Sequence, residues 1–455
     1  MKIVIVGGGK IGTELAAQLT REEHDVILID NSRDAIRRIG NSLDMMFVYG
    51  NGGSLDVQKK AEVSESDLLI AVTSSDELNM IACMLARKLG CSNTIARVRN
   101  PEYSEQLYLL KDEMSLSMTV NPEWTAASEI FRLMQLPAFL KRTAFAKGRV
   151  EIVEVELRPE MSIADTCLSD VGKKLKVRML VCAVQRGSNV FIPGGSFQLL
   201  AGDKIYAAVK THDLTGLIRG IGLRSQKTRN ALIIGGSRTA VYLATLLSQP
   251  GTSVKIMEKS KDRAVALAEL LPKVTILNED GSERHILNSE SMDQMDTVVT
   301  LTNMDEENLI ISMYAKYMGV PQVITKINRT EFSEVFRDKG IDCVISPKLL
   351  CADRIISYVR AMQNTSGGSV LALHELVDET VEALEFSINR SCRHLKRMLM
   401  DLPLKKDVLI ASISRANKII IPSGTDFVQV HDTVIVVTTA DRVIIDYNDI
   451  FLEDA

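Results

Sequence analysis

Short apolar segments alternate with amphipathic segments from the first residue to Asn121. The apolar runs KIVIVG and DVILID are separated by Gly12 to Arg21, where apolar positions recur with a helical period. The runs MMFVYG, DLLIAVT and TIARV continue the series. Strands that alternate with helices are typical of parallel sheets, because parallel neighbours need crossover connections. The pattern therefore predicts an α/β domain with a doubly wound parallel sheet.

This pattern occurs twice in the chain. A displacement of 229 residues places the segment that starts at Asp67 on the one that starts at Asp296, and the segment at Ile192 on the one at Ile421. A common offset near both ends of the unit indicates a duplicated pair of domains.

A different kind of sequence follows each doubly wound half. Asn121-Pro122 and Ser346-Pro347 stop that half and begin a helix of roughly twenty residues. Strand-like runs bounded by glycine turns then predict a small α+β domain. The expected organisation is a doubly wound domain at 1–121, a linker helix at 122–145 and a small domain at 146–223, and then 228–345, 346–366 and 367–455 in the second copy.

Composition and charge exclude several classes of function. The 455 residues include 54 basic and 58 acidic side chains, a net charge of -4, which gives no long-range field to attract nucleic acid or anionic lipid. No apolar run approaches the roughly 18 residues of a membrane helix, and the initial MKIVIVGGG is a strand and a turn, not an export signal. We therefore expect a cytoplasmic protein. The seven cysteines form no CxxC pair, and we expect neither disulfides nor a metal site.

A glycine-rich fingerprint of the GxGxxG type follows the first strand: Gly7, Gly8, Gly9, Lys10, Ile11 and Gly12. Gly7 permits a tight turn, Gly9 lets the backbone approach a diphosphate, and Gly12 lets the helix pack on the strand. The N–H groups at the start of the helix then bind the diphosphate. Asp30 ends the second strand, where its carboxylate can accept both ribose hydroxyls and repel a 2′-phosphate. The fingerprint favours NAD(H), or another adenine nucleotide without a 2′-phosphate, over NADP.

The second copy has an altered fingerprint, Gly235-Gly236-Ser237-Arg238-Thr239-Ala240, with Glu258 at the end of its second strand. Ser237 occupies the position of closest phosphate approach, where a side chain obstructs a diphosphate, whereas Ala240 is an accepted substitute for glycine. Two interpretations stay open for this copy: a site with a weaker or different ligand, and a purely structural remnant.

Further polar residues follow the fourth and fifth strands, at the edge of the sheet where ligands bind. Thr73 and Asn79 can hydrogen-bond a ligand. Either Ser75 or Asp76 caps the next helix, and for Asp76 this role fits better than a ligand contact. Arg97 follows at the same edge, with Lys326 in its place in the second copy. A cation there either neutralises a terminal phosphate or forms an ordinary surface ion pair.

Taken together, these motifs resemble those of the RCK (or KTN) regulators of potassium conductance, in their tandem form. The resemblance covers essentially the whole chain and depends on VIVGGGKIGTELA, the LID that ends in Asp30, VTSSDELN, IARV with Arg97, the NP that ends the domain, and the IPGG and GD turns. It implies two Rossmann-like RCK_N domains, each followed by a small RCK_C domain. It also places Asn51, after the third strand, in the site, although the family often has Asp there and Asp280 keeps the acid in the second copy.

The same resemblance implies a function. Proteins of this group are cytosolic, non-enzymatic regulatory subunits of Trk-type potassium uptake systems, bind NAD(H) or ATP/ADP, and assemble as homo-oligomeric rings of RCK domains. They lie at the inner face of the membrane through a TrkH- or TrkG-like potassium-translocating partner and change conformation with the nucleotide.

Two alternatives of other kinds remain. An NAD-dependent dehydrogenase needs a substrate domain with a positioned acid or base, and the duplication leaves no residues for one. Its best string, Tyr206 to Lys210, lies in an expected strand, where the two side chains would stand about 13 Å apart. The other alternative is a regulator that senses a cyclic dinucleotide through the small domains.

Overall fold

The computed structural model describes residues 1–101, 103, 116–136, 139, 141–223, 228–248, 251–329, 341, 343–365, 370–377, 380–416, 418–440, 444 and 446–452. The chain divides into two compact units. Met1–Phe131 and Arg229–Ile356 form one, and Arg132–Thr228 and Ser357–Ala455 form the other. The first unit, here the nucleotide unit, thus contains both doubly wound domains, and the second contains both small domains.

The first doubly wound domain is a six-stranded, fully parallel sheet with the order β3-β2-β1-β4-β5-β6. Its strands are β1 (Lys2–Val6), β2 (Asp25–Asp30), β3 (Met46–Tyr49), β4 (Leu68–Ala71), β5 (Asn93–Arg97) and β6 (Met118–Val120). Its helices include α1 (Lys10–Arg21), α2 (Arg33–Gly40), α3 (Leu55–Lys60) and α4 (Asp76–Leu89). The strand order reverses between β1 and β4, and a ligand crevice forms outside the carboxyl ends of the strands at such a point.

The first linker helix is shorter than the sequence predicts. Helix α5 spans Pro122–Gln135, not 122–145, and Lys141–Phe145 forms strand β7 of the small sheet. The proline at 137 disfavours helical geometry at the residue before it, which accounts for the early end.

The first small domain is a five-stranded antiparallel sheet with the order β10-β9-β11-β8-β7. The remaining elements are β8 (Val150–Glu156), α6 (Leu168–Lys174), β9 (Met179–Arg186), β10 (Asn189–Phe191), β11 (Lys204–Lys210) and α7 (Leu214–Gly220). Tyr206 and Lys210 both lie in β11, so the YxxxK string is a strand as expected, and Tyr206 is buried.

The second doubly wound domain repeats the first, with the parallel order β14-β13-β12-β15-β16-β17. Its elements are β12 (Asn230–Ile234), α8 (Arg238–Leu247), β13 (Ser253–Met257), α9 (Lys261–Leu270), β14 (Thr275–Leu277), α10 (Arg284–Ser289), β15 (Thr297–Thr300), α11 (Asp305–Tyr317), β16 (Gln322–Lys326) and β17 (Val344–Ile345). The two expected parallel sheets are thereby confirmed.

Helix α12 (Pro347–Thr365) matches the second predicted linker helix and leads along the chain to the second small domain. That domain has the order β18-β19-β22-β20-β21, with β18 (Val370–Val377), β19 (Val381–Ser387), β20 (Val408–Arg415), β21 (Lys418–Ile420) and β22 (Thr433–Thr439). Both small sheets contribute to one apolar cluster, which includes Ala183, Tyr206, Ala383 and Val437. Over the part of the chain that the structure describes, no helix combines the length and apolar character needed to cross a membrane.

Candidate nucleotide-binding site

One cavity of about 1180 Å³ in the nucleotide unit is lined by both glycine fingerprints. Direct contacts hold the two doubly wound domains together beside it. Tyr242 of α8 donates its hydroxyl to the carbonyl oxygen of Arg99 at 3.2 Å and accepts a hydrogen bond from Asn121 at 3.1 Å. Its ring also packs edge-on against Trp124, with the centroids 5.4 Å apart. The two copies therefore face a common space.

The first fingerprint has the geometry of a phosphate loop. Gly7 has a φ of +108°, and a Cβ atom on Gly12 would overlap the carbonyl oxygen of Gly7. By contrast, a Cβ on Gly9 would meet no protein atom within 4 Å, so the space beside Gly9 is open. Gly9 is also the N-cap of α1, and no side chain caps this helix. An anion can therefore approach the helix N-terminus directly.

Asp30 lies in the cavity wall at the end of β2. Its Oδ2 accepts a hydrogen bond from the N–H of Gly8 at 2.6 Å, and its Oδ1 accepts one from the N–H of Ser32 at 2.7 Å. These two bonds fix the carboxylate beside the phosphate loop. Each oxygen still has a lone pair for a ligand hydroxyl.

The second fingerprint keeps the acid and changes the helix start. Glu258 accepts hydrogen bonds from the N–H groups of Gly236 and Ser260, both at 2.8 Å, as Asp30 does in the first copy. However, the Ser237 hydroxyl accepts a hydrogen bond from the N–H of Ala240 at 3.4 Å and so caps α8. At the N-terminus of α8, a side chain of the protein therefore already accepts one of the free N–H groups. At the N-terminus of α1, the N–H groups stay available to a ligand.

The structure separates the residues that follow β4. Thr73 lines the cavity, whereas Asn79 is fully buried behind it. Asn79 Oδ1 accepts from the Thr73 N–H and hydroxyl at 2.8 and 2.7 Å, and Nδ2 donates to the carbonyl oxygens of Thr73 and Arg97. Because its amide is occupied in this way, Asn79 positions the Thr73 loop. Ser75, not Asp76, caps α4. Asp76 instead accepts hydrogen bonds from the backbone N–H groups of the two residues at 99 and 100, in the segment after β5.

Arg97 and Lys326 both line the cavity, at the carboxyl ends of β5 and β16. Arg97 donates to the carbonyl oxygen of Thr73. Burial lowers the pKa of both side chains, and the nearby carboxylate of Glu123 opposes this shift. Lys326 is only 7% exposed, and in the described part of the chain its ammonium has no hydrogen-bond partner. Both cations are thus placed to meet an anion from the cavity.

Asn51 and Asp280 occupy matching turns, and both line the cavity. Asn51 Oδ1 accepts the N–H of Gly53 at 2.9 Å, and Asp280 Oδ1 accepts the N–H of Ser282 at 2.9 Å. The Ser282 hydroxyl lowers the pKa of Asp280 by a further hydrogen bond. Asparagine in the first copy therefore keeps the turn and loses the charge.

Five charged residues in the cavity wall were not named from the sequence: Glu123, Lys259, Arg263, Glu307 and Lys348. Arg263 Nε donates to the carbonyl oxygen of Gly236 at 2.8 Å. Seven basic and five acidic side chains line the cavity in all, an excess that favours an anionic ligand. The sequence signal for Glu123 and Lys348 was their place directly after the prolines that end each domain.

Known proteins with similar sequences and folds agree with this architecture. The family model for the TrkA-N domain matches residues 3–117 and 231–347, which correspond to the two doubly wound domains. The Trk system potassium uptake protein TrkA homolog 1 of Methanosarcina mazei is 30% identical over 448 residues, which are 97% of this chain and 98% of that protein.

Two solved structures of the GsuK channel share the fold. The channel bound to NAD aligns with a TM-score of 0.63 at 16% identity, over 97% of this chain and 77% of that chain. The channel bound to ADP aligns with a TM-score of 0.50 at 14% identity, over 80% of this chain and 69% of that chain. With its two TrkA-N domains and its full-length match to a relative, this chain belongs to the TrkA family of Trk-system potassium uptake proteins.

Proposed function

We propose that this protein is the nucleotide-sensing regulatory subunit of a Trk-type potassium uptake system. It binds NAD(H), or ATP or ADP, at Gly7–Gly12 and Asp30 and controls a TrkH- or TrkG-like membrane partner, to which it binds at the cytoplasmic face. The observation that carries the proposal is the open N-terminus of α1 beside a fixed carboxylate, in a cavity shared by two nucleotide folds. The NAD and ADP complexes of the GsuK channel support the choice of ligands.

A regulatory role makes a thermodynamic demand on the site. A nucleotide shifts a conformational equilibrium only by its difference in affinity for the two states, and each tenfold preference supplies about 1.4 kcal/mol. A cavity between two domains suits this demand, because a ligand there contacts both domains and its affinity depends on their arrangement. In a ring of several coupled copies, the free-energy differences from nucleotide binding at each copy would add up.

The experiment that tests this function measures potassium uptake into vesicles that contain the membrane subunit and this protein. We expect the flux to differ between NADH, NAD, ATP and ADP, and NADH to be left unconsumed. Equal flux with every nucleotide and with none would contradict the proposal. Consumption of NADH with a small carbonyl compound would favour the dehydrogenase alternative instead.

Matching apolar side chains on α4 and α11 support assembly of a ring from copies of this chain. Ile81 and Met84 of α4 are exposed, and Ile310 and Met313 of α11 are exposed at the corresponding positions. Ile310 is 68% exposed, and Tyr317 on the same helix is 81% exposed. Because each copy presents the same apolar face, a face on one chain can pack against its equivalent on the next.

The assembly is tested by Ile310→Asp, which places a charge in the exposed face of α11. We expect sedimentation velocity to show smaller species than the wild type, since burial of an unpaired carboxylate opposes association. Val265→Asp is the matched control, because Val265 is 54% exposed on α9 of the same domain. An unchanged sedimentation profile for Ile310→Asp would remove this face from the interface.

A further inference from the structure

Two lysines from different repeats meet in the cavity. Lys10 is the first residue of α1, within the first fingerprint, and Lys348 is the second residue of α12, in the second repeat. Both line the cavity. The Lys348 ammonium donates to the backbone carbonyl oxygen of Asn328, and the Lys10 ammonium in the same cavity is near enough to lower the pKa of Lys348. The second repeat therefore presents a cation to the first phosphate loop.

Among the residues that the structure describes, neither lysine of this pair forms an ion pair with a carboxylate of the protein. Burial lowers the pKa of Lys348, and the Lys10 ammonium lowers it further. Asp305 and Glu14 act in the opposite direction, but within the described ranges neither forms an ion pair with either lysine. Adjacent like charges in a partly buried place are unfavourable unless an anion neutralises them. An anion that enters the cavity would be stabilised by both ammonium groups.

The corresponding position in the first repeat carries the opposite charge. Pro122 and Pro347 begin the two linker helices, so Glu123 and Lys348 are equivalent residues. Burial lowers the pKa of Arg97 and of Lys326, and Glu123 lies close enough to both to oppose that lowering. Its buried Oε2 has no hydrogen-bond partner in the part of the chain that is described. The second linker helix thus adds a cation, Lys348, beside the first loop, whereas the first linker helix adds an acid, Glu123, at the equivalent position. The two halves of the cavity therefore differ in how favourable they are for a phosphate group.

We infer that Lys348 is a ligand-binding residue of the first nucleotide site, where its ammonium and that of Lys10 contact phosphate oxygens of an adenine nucleotide on the Gly7–Gly12 loop. The inference rests on the proposed function and adds a residue from the other repeat to its site. A bound phosphate fastens the start of α12 to the first loop through charge-assisted hydrogen bonds. The second linker helix therefore responds to occupancy of the first repeat.

The test compares nucleotide binding by full-length wild type, Lys348→Gln, Lys348→Arg and Lys259→Gln in isothermal titrations with NADH, ATP and adenosine. Lys259 is the matched control because it lines the same cavity beside Asp280, in the second half. We expect Lys348→Gln to bind NADH and ATP about 10-fold to 100-fold more weakly, as for a hydrogen bond to a charged group. Lys348→Arg and Lys259→Gln should stay within about threefold of wild type.

Adenosine separates phosphate binding from a general structural effect. Because it has no phosphate, its affinity should be the same for wild type and Lys348→Gln. The inference is overturned if Lys348→Gln binds NADH and ATP as wild type does, if Lys259→Gln is equally impaired, or if the loss extends to adenosine. Wild type that binds none of these nucleotides would contradict the proposed function as well, which distinguishes the two failures.

Discussion

Replacement of Asp30 by alanine should weaken NADH binding by about 100-fold. The carboxylate is held by the N–H groups of Gly8 and Ser32 at the cavity wall, in position to accept the ribose hydroxyls. Each hydrogen bond to a charged group contributes about 1.5–3 kcal/mol, and a net loss of about 2.8 kcal/mol is a factor of about 100 in affinity. Isothermal titration of the intact protein with NADH measures this effect.

Glu258→Ala is the matched control for that experiment. Glu258 makes the same two backbone hydrogen bonds beside the second fingerprint. If the first loop holds the dinucleotide, Glu258→Ala should change NADH affinity by less than about threefold. A larger loss for Glu258→Ala than for Asp30→Ala would assign NADH to the second copy, and equal affinities for all three proteins would exclude both acids from the site.

Gly12→Ala should both destabilise the nucleotide unit and abolish NADH binding. A Cβ atom at Gly12 overlaps the carbonyl oxygen of Gly7, which is backbone and can move only if β1 and α1 separate. Overpacking of this kind typically costs about 1–3 kcal/mol. For a unit of this size, about 1 kcal/mol lowers the thermal unfolding midpoint by about 2–4 °C, so we expect a fall of about 2–12 °C in calorimetry, together with loss of the nucleotide titration.

The second copy provides the control for this variant. Ala240 occupies the equivalent place at the start of α8, where the chain already accommodates a Cβ. Ala240→Gly should therefore leave NADH binding at the first loop within about threefold of wild type. An unchanged midpoint and unchanged binding for Gly12→Ala would show that helix and strand separate without cost, contrary to the close packing in the structure.

The two copies differ in a way that suits a division of roles. Gly9 leaves α1 uncapped, whereas the Ser237 hydroxyl caps α8. A capped helix start has fewer N–H groups for a phosphate, since its own side chain already accepts one of them. The second copy retains Glu258 and the buried Lys326, so it keeps polar contacts without the open loop.

Local patterns in the sequence were sufficient for most of the elements and for the glycine-rich turn after β1. Helical and strand periods depend on residues a few positions apart, and glycine requirements depend on the conformation of a single turn. For this reason the strands β1 to β5, the glycine-rich turn at Gly7–Gly12 and the acid at Asp30 could be predicted, whereas β6 was not. The end of α5 at Gln135 was missed because the expected helix was extended past the proline at 137 into a strand.

The roles of individual polar residues depended on contacts that the sequence does not display. Asn79 has the residue type of a ligand contact, but its buried amide is already bonded to Thr73 and to the carbonyl oxygen of Arg97. Glu123 and Lys348 each look like the ordinary start of a helix, and only their position in the cavity wall gives them a further role.

By itself, the sequence determined that the chain is a duplicated pair of an α/β and a small domain, with a glycine-rich GxGxxG turn after the first strand and an acid at the end of the second. Only the tertiary structure decided that the two α/β domains share one unit and one cavity, and that a lysine of the second repeat lies beside the phosphate loop of the first. The physical reason is the separation of the interacting residues along the sequence. Helical and strand periodicity and turn conformation depend on residues that are close neighbours in the chain. The pairing of surfaces more than 200 residues apart depends on shape and charge complementarity, which no local pattern records.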